Sequence, residues 1–473
     1  MPRASTGRPP PRASWTSSLA CWPGRAPEPC MRDVIFTLLM LGAMGYALRK
    51  PWVGALLWVW MGLMNPHRYT FGFAFNLPWS MMVAGVTLIG LLRTRERQWP
   101  FRESWAPGLV LLFTVWITLS WLNGRFVNDD FPMWSRALKT FVMLLVMMSL
   151  VYTRERIQAL VWVVALSIGV LGAKGGAFTV ATGGSYRVWG PADSWVFDNN
   201  AFAVALIMVV PLLRYLQTQL PQQRQRWYRR ALGLAAVLCA AAALGSQSRG
   251  GFLALCAMGL LLWWRGRNRF LGAAAMVLVV AWLLLLMPES WFDRMRTIQS
   301  YDDDVSALGR LAAWKVAIGL AGDHLTGAGF TTGLSEYFYR YLGIQREGIV
   351  AHSIYFEVLG QHGYPGLLIF LAIGISTWRA ASRVRKEARD IPEAQWCVSL
   401  VSLCQVSLLG YAVGGAFLTL AFYDLPYYVL AMVVLTRQWV ARRGWVTDAL
   451  LPSQWTAQLQ SGQVMSGAMP AKR

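Results

Sequence analysis

Three arginines and one histidine stand where packing alone does not explain them. Arg249 lies in SQSRGG, Arg310 in GRLAAWK and His352 in AHSIYFEVLGQHGYPG, each beside an apolar run. A guanidinium is a planar, permanently charged fork suited to anionic oxygens. An imidazole with an ordinary pKa of about 6.5 takes or gives a proton near neutrality. Ser246, Ser248, Gly250 and Gly251 are small enough to let a ligand or another helix approach Arg249; the competing explanation is a polar turn whose arginine snorkels to a membrane interface. Trp314, four residues after Arg310, shares its helical face and can stack on the guanidinium or on a sugar ring, unless the pair is only an interfacial anchor. Arg187 sits in SYRVWGPADSWVFDNN with Trp189, Asp193, Trp195 and Asn199, where an aromatic belt accounts for the tryptophans equally well.

His352 opens a predicted helix in which Ser353 can act in capping, and Gly360, Gly363 and Gly366 form a small-residue face fit for close helix packing. The other histidines offer less. His67 and His324 lie in loops without partners, and no HExxH or Cys/His spacing points to a metal site. Asp302, Asp303 and Asp304 read as a solvated acidic loop rather than a divalent cation site. Cys239, Cys256, Cys397 and Cys404 lie inside apolar runs and read as small core residues; Cys21 and Cys30 fall in the N-terminal stretch.

The elements that must position these groups are membrane helices. Of 473 residues 56% are hydrophobic and 14% charged, against about 25% charged in a soluble domain. The net charge of +21 would suggest nucleic acid in a soluble protein. Here most basic residues cluster between apolar runs, which excludes that reading in favour of basic cytoplasmic loops. Apolar runs recur at roughly 33–49, 51–64, 77–92, 107–122, 137–152, 157–180, 199–216, 231–246, 251–264, 270–287, 353–375, 396–420 and 425–440, some short against the usual ~20 residues. They predict an all-α, polytopic helical membrane protein with about twelve or thirteen spans. Arginine clusters at 93–102, 154–156, 214–230, 265–269 and 379–389 should face the cytoplasm, so the loops at 123–136, 181–198, 247–250, 288–352 and 421–424 should be external. Loop 288–352 is too long for a passive connector. Its segment 307–325 has the spacing of an amphipathic helix.

Residues 1–30 are rich in Pro, Arg and Ser without an apolar core, so they read as a disordered or mis-annotated extension with translation starting at Met31. Residues 31–194 are expected to form N-terminal transmembrane helices, 195–440 the functional membrane domain and 441–473 a disordered cytoplasmic tail.

His352-Ser353, nine residues, Gly363, two residues and Gly366 resemble the signature His-[Asn/Ser/Gln]-x9-Gly-xx-[Gly/Thr/Tyr] of bacterial O-antigen ligases. SQSRGG at 246–251 and the stretch 309–330 look like the start and middle of the domain shared by O-antigen ligases and polymerases. MRDVIFTLLMLGAMGYALRKPW at 31–52 and YRVWGPADSWVFDNNAFA at 186–203 are similar to O-glycosylation ligases associated with the exosortase A system. Thirteen runs against the twelve usual in that family put the N-terminal topology in question.

The resemblance implies an inverting, metal-independent transfer of a glycan from an undecaprenyl-pyrophosphate carrier to a hydroxyl on a protein or polysaccharide, without nucleotide sugar or other cofactor. It places the enzyme in the bacterial inner membrane, with the site facing the periplasm. By analogy Arg249, Arg310 and His352 are catalytic, while Arg187, Trp314 and Ser353 contact substrate. The chemistry agrees, because a glycosyl pyrophosphate already carries a good leaving group and mainly requires positive charge where negative charge develops. Tyr337, Tyr339 and Tyr341 can stack on sugars or serve in an aromatic belt. The alternatives are a polymerase of the same superfamily, whose acceptor is a second lipid-linked glycan, and a transporter of lipid-linked substrate. A transporter predicts charges along a path inside helices.

Overall fold

The computed structural model describes residues 31–192, 194–221, 225–265, 305–345 and 348–448, together with Phe270, Ala281 and Glu289. The expected extension 1–30, nearly all of the expected span 270–287, Asp193, the acidic triplet 302–304 and the tail beyond 448 lie outside the described residues.

The described elements are helices, with no strand among them. In chain order they are α1 (Met31–Arg49), α2 (Pro51–Met64), α3 (Trp79–Arg93), α4 (Ala106–Leu122), α5 (Val127–Leu150), α6 (Arg154–Ala181), α7 (Asn199–Gln219), α8 (Arg226–Gly245) and α9 (Arg249–Arg265). There follow α10 (Val305–Asp323), α11 (Ser335–Leu342), α12 (Ile354–Glu387), α13 (Gln395–Gly415) and α14 (Asp424–Ala441). Seven helices among the described residues are long and apolar enough to cross a membrane, and α2, α3 and α4 are shorter apolar helices. The runs at 33–49 and 51–64 are two helices separated by Lys50, with Pro51 in the first turn of the second. Proline suits that position, because its missing amide has no partner in a first turn anyway.

Helices α7 and α14 are apolar on every side and buried along almost their whole length, as a helix in the middle of a bundle must be. Around α14 pack α2, α4, α5, α6, α12 and α13. Small residues set the close approaches: a Cβ on Gly414 would stand 2.5 Å from Val204, and one on Gly251 2.8 Å from Ala203. Helix α1 lies outermost and turns much of its apolar surface outward, which a bilayer tolerates and water does not. Cys239, Cys397 and Cys404 are buried as expected, whereas Cys256 is exposed, because α9 carries apolar residues on its outer face as well.

The two ends of the bundle differ in charge. At one end the arginine clusters converge: Arg156 pairs with Glu96 at 2.6 Å, Arg437 with Glu387 and Glu103, and Arg442 with Asp448 at 2.9 Å. The opposite end carries the turns at 123–126, 182–192, 194–198, 246–248 and 416–423, together with the described residues 348–353 that lead into α12. There α10 forms over 305–323 where an amphipathic helix was expected, and α11 packs on it through Tyr341, whose hydroxyl donates to Asp323 at 2.8 Å.

Candidate active site

The His352 end is assembled from four sequence-distant segments. The first is the turn Ser246–Ser248 ahead of α9. Ser248 Oγ accepts from Gly251 N at 3.0 Å, which starts the helix and leaves Arg249 as its first residue. The positive helix N-terminus thereby adds to the guanidinium charge. Gln247 holds φ +56, a left-handed conformation unusual for a residue with a side chain.

The second segment, 186–199, is fastened to that turn at three points. Val188 N donates to Gly245 O at 3.1 Å, Arg187 Nε to Gln247 Oε1 at 3.2 Å, and the buried Asn199 Nδ2 to Ser246 O at 2.6 Å. Asp198 precedes Asn199 and caps α7, its Oδ1 accepting from Asn200 N at 2.9 Å and Ala201 N at 3.2 Å.

The third segment is α10, which carries Arg310 and Trp314. The indole stacks on Phe356 of α12 at 4.6 Å and donates to Ala351 O at 2.7 Å. Trp314 thus fixes the backbone immediately before His352, where the sequence suggested stacking on a guanidinium or a sugar.

The fourth segment holds His352 itself, at φ +44. A left-handed non-glycine residue is strained by roughly 1–2 kcal/mol, and the neighbouring packing maintains it. Ser353 follows at the N-cap position, fully buried, but its side chain makes no capping bond; only its carbonyl is used, accepting from Glu357 N at 2.7 Å. The expected side-chain cap is therefore not formed. The turn 414–417 bridges the segments, since Phe417 packs beside Gly250 and Gly415 beside Ile354.

Charge links these pieces. Burial, and next the positive charge of Arg310, hold the His352 imidazole below its ordinary pKa, while Asp198 pulls it upward. An imidazole lowered in this way is neutral at pH 7 and able to accept a proton. Asp198 is the contributor that sequence reasoning overlooked. Its signal was present, because Asp-Asn-Asn before an apolar run is an N-cap pattern.

The glycine face of α12 resolves into three different functions. Gly360 lies against Ala317 of α10, as a packing glycine should. Gly363 instead interrupts the helix at φ +68, and a Cβ there would meet Leu325 O at 2.2 Å. Gly366 makes room for the His362 Cβ and for Trp116. His362 is a core residue: it is fully buried, its Nδ1 lies 2.8 Å from Ser120 Oγ, and Phe113, Phe330 and Phe422 surround its ring.

Two cavities are lined by residues that flank His352 in the chain. One, of about 330 Å³, is lined by Ala351, Glu357, Gln361 and Thr419 among others. Gln361 Nε2 is committed to Phe330 O at 3.1 Å, which leaves its Oε1 as a buried acceptor, and Thr419 Oγ1 is a second; neither bonds a described residue. The other, of about 420 Å³, is an apolar groove between α12, α13 and α14 that includes Ile354, Phe370, Trp378 and Leu430.

Residues 234–371 match the O-antigen ligase family. That region contains Arg249, Arg310, Trp314, His352 and Ser353, and the chain is an O-antigen ligase- or polymerase-like, multi-pass membrane protein. Residues 31–220 match a second family, described only as a family of unknown function (DUF5935), so Arg187, Asp198 and Asn199 reach the O-antigen ligase region from outside it. No curated protein matches the chain.

Proposed function

We propose that the protein transfers a glycan from undecaprenyl pyrophosphate to a hydroxyl acceptor at the periplasmic face of the bacterial inner membrane. What carries this reading is the arrangement at one end of the bundle: His352, left-handed at φ +44 and held below its ordinary pKa by burial and the charge of Arg310, stands at the end that also bears Arg249. The acceptor O–H gives its proton to a ring nitrogen of His352 as its oxygen attacks the anomeric carbon. The bond from that carbon to the pyrophosphate oxygen breaks, the configuration inverts, and undecaprenyl pyrophosphate leaves. Arg249 and Arg310 stabilise the negative charge gathering on the departing oxygens, which needs neither metal nor cofactor. Arg187 orients the SQSR turn through Gln247.

The surroundings support this assignment. The apolar groove starts at Ile354, two residues from His352, and suits an isoprenoid chain lying in the bilayer. The polar cavity beside Ala351 offers acceptor atoms to an incoming hydroxyl. The arginine clusters at the far end favour a cytoplasmic location for that end. A single added block of glycan identifies a ligase, and the stretches at 31–52 and 186–203 favour one that modifies protein in an exosortase-linked system.

The test incubates purified protein with a lipid-pyrophosphate glycan and candidate protein and polysaccharide acceptors, and reads the product by mass. One glycan added to an acceptor supports the ligase; a ladder of lipid-linked repeats assigns a polymerase. Donor binding without turnover on any acceptor moves the assignment to a transporter.

A further inference from the structure

A second charged site lies outside the O-antigen ligase match, between the N-terminal helices and the start of α14. Arg136 and Lys139 stand three residues apart on α5 and so share a face. Both line a cavity of about 200 Å³ that also takes in Trp58, Met81, Trp195 and Asp424. Their depth follows from the register of α5 against the antiparallel α4. Trp134 Nε1 donates to Thr118 Oγ1 at 3.1 Å, and Phe141 meets Phe113 at 5.8 Å. Lys139 therefore lies level with α4 between residues 113 and 118, some four to nine residues inside its end at Leu122. At 1.5 Å per residue this is about 6–14 Å inside the end of α4.

Both residues are exposed to their surroundings, and charges exposed at such depth in a membrane protein are costly and mark functional sites. Neither cation has a carboxylate of a described residue within ion-pairing distance. The Arg136 guanidinium lies 5.0 Å from the centre of the Trp195 ring. The one acid in the lining, Asp424, uses Oδ1 to accept from Thr140 at 2.9 Å. Two cations thus face the cavity against a single carboxylate, which selects for an anion. Met81, 62% exposed on the peripheral α3, forms part of the wall, so the cavity opens toward lipid.

We propose that this cavity binds a phosphate group carried at the head of a membrane lipid, in the leaflet on the His352 side. The connection between α6 and α7 also reaches the transfer site: Trp195 meets Arg136 here, while Arg187 bonds Gln247 in the turn ahead of α9. A bound lipid phosphate would brace Arg136 against Trp195 without entering the reaction.

The experiment is native mass spectrometry of the full chain in detergent, titrated with phosphatidylglycerol and, separately, with inorganic phosphate. The double variant Arg136→Gln, Lys139→Gln should retain phosphatidylglycerol about tenfold more weakly than wild type, as expected for lost charge-assisted hydrogen bonds. Asp424→Asn, which removes the opposing charge, should retain it about threefold more tightly, a gain that misfolding cannot imitate. Equal retention by all three proteins overturns the proposal. Saturation by inorganic phosphate without competition from phosphatidylglycerol overturns the lipid source.

Discussion

The positive charge of Arg310 reaches His352 and, after burial, is the main influence keeping its imidazole neutral. Two residues 42 positions apart in the chain are thereby coupled, one supplying fixed charge and the other a proton acceptor whose basicity that charge sets.

The coupling has a pH signature. A base is active when unprotonated, so transfer rises with pH through the His352 pKa and is lost below it. Because that pKa lies below its ordinary value, the acidic limb should have its midpoint below about 6.5. Arg310→Gln removes a lowering charge and should move the midpoint upward. Asp198→Asn removes a raising charge and should move it downward. Profiles of kcat/KM against pH for the three proteins check both signs; a midpoint unmoved by either change contradicts the assigned neighbours.

The left-handed backbone at His352 separates stability from activity. His352→Gly relieves roughly 1 kcal/mol of strain, so its Tm in detergent should equal or exceed that of wild type. Transfer should nevertheless fall about 100-fold or more with loss of the base. His352→Ala keeps the strain and should lose activity to a similar extent without gaining stability. A glycine variant that is active, or markedly less stable than the alanine variant, contradicts this account.

Arg249 tests charge against shape. Arg249→Lys keeps the positive charge at the start of α9 and loses the planar fork, so activity should fall about tenfold and not recover at low salt. Asn199→Ala, which frees Ser246 O, should lower stability by about 1–3 kcal/mol because a buried acceptor loses its donor. Thermal unfolding read beside transfer distinguishes the two variants.

Gly363 is a conformational requirement. Gly363→Ala places a Cβ 2.2 Å from Leu325 O at a residue with φ +68, and should destabilise by about 2 kcal/mol or more. Gly360→Ala, facing the Ala317 Cβ at 3.0 Å with ordinary helical backbone, should do less harm. Paired Tm measurements decide the order.

The helices were legible because apolar runs between basic clusters admit few folds in a bilayer, and α10 was legible from its spacing inside a long loop. Arg249, Arg310 and His352 stood out because charge at that end of the bundle has no packing rationale. Asp198 did not, since a carboxylate before a helix looks like a cap and is one; its charge acts on His352 across more than 150 residues of sequence, which only the fold reveals. Trp314 was visible as an aromatic near an arginine, but only the fold shows its indole bonded to Ala351 O. The spacing of Gly360, Gly363 and Gly366 suggested one packing face. Positive φ at the middle glycine is a tertiary outcome, imposed by the 325–329 chain lying across the helix, that periodicity cannot reveal. Arg136 and Lys139 were hidden for a related reason: at the edge of an apolar run they pass for flanking residues, and only the register with α4 reveals their depth.

The most direct measurement of the central claim is single-turnover transfer from a labelled lipid-pyrophosphate glycan by wild type, His352→Ala and Arg310→Ala, each also assayed for donor binding. Wild type should add the glycan to a hydroxyl acceptor and release lipid pyrophosphate. His352→Ala should still bind donor but transfer at least about 100-fold more slowly, while Arg310→Ala should weaken transfer and donor binding together. Transfer at the wild-type rate by a correctly folded His352→Ala protein contradicts the account.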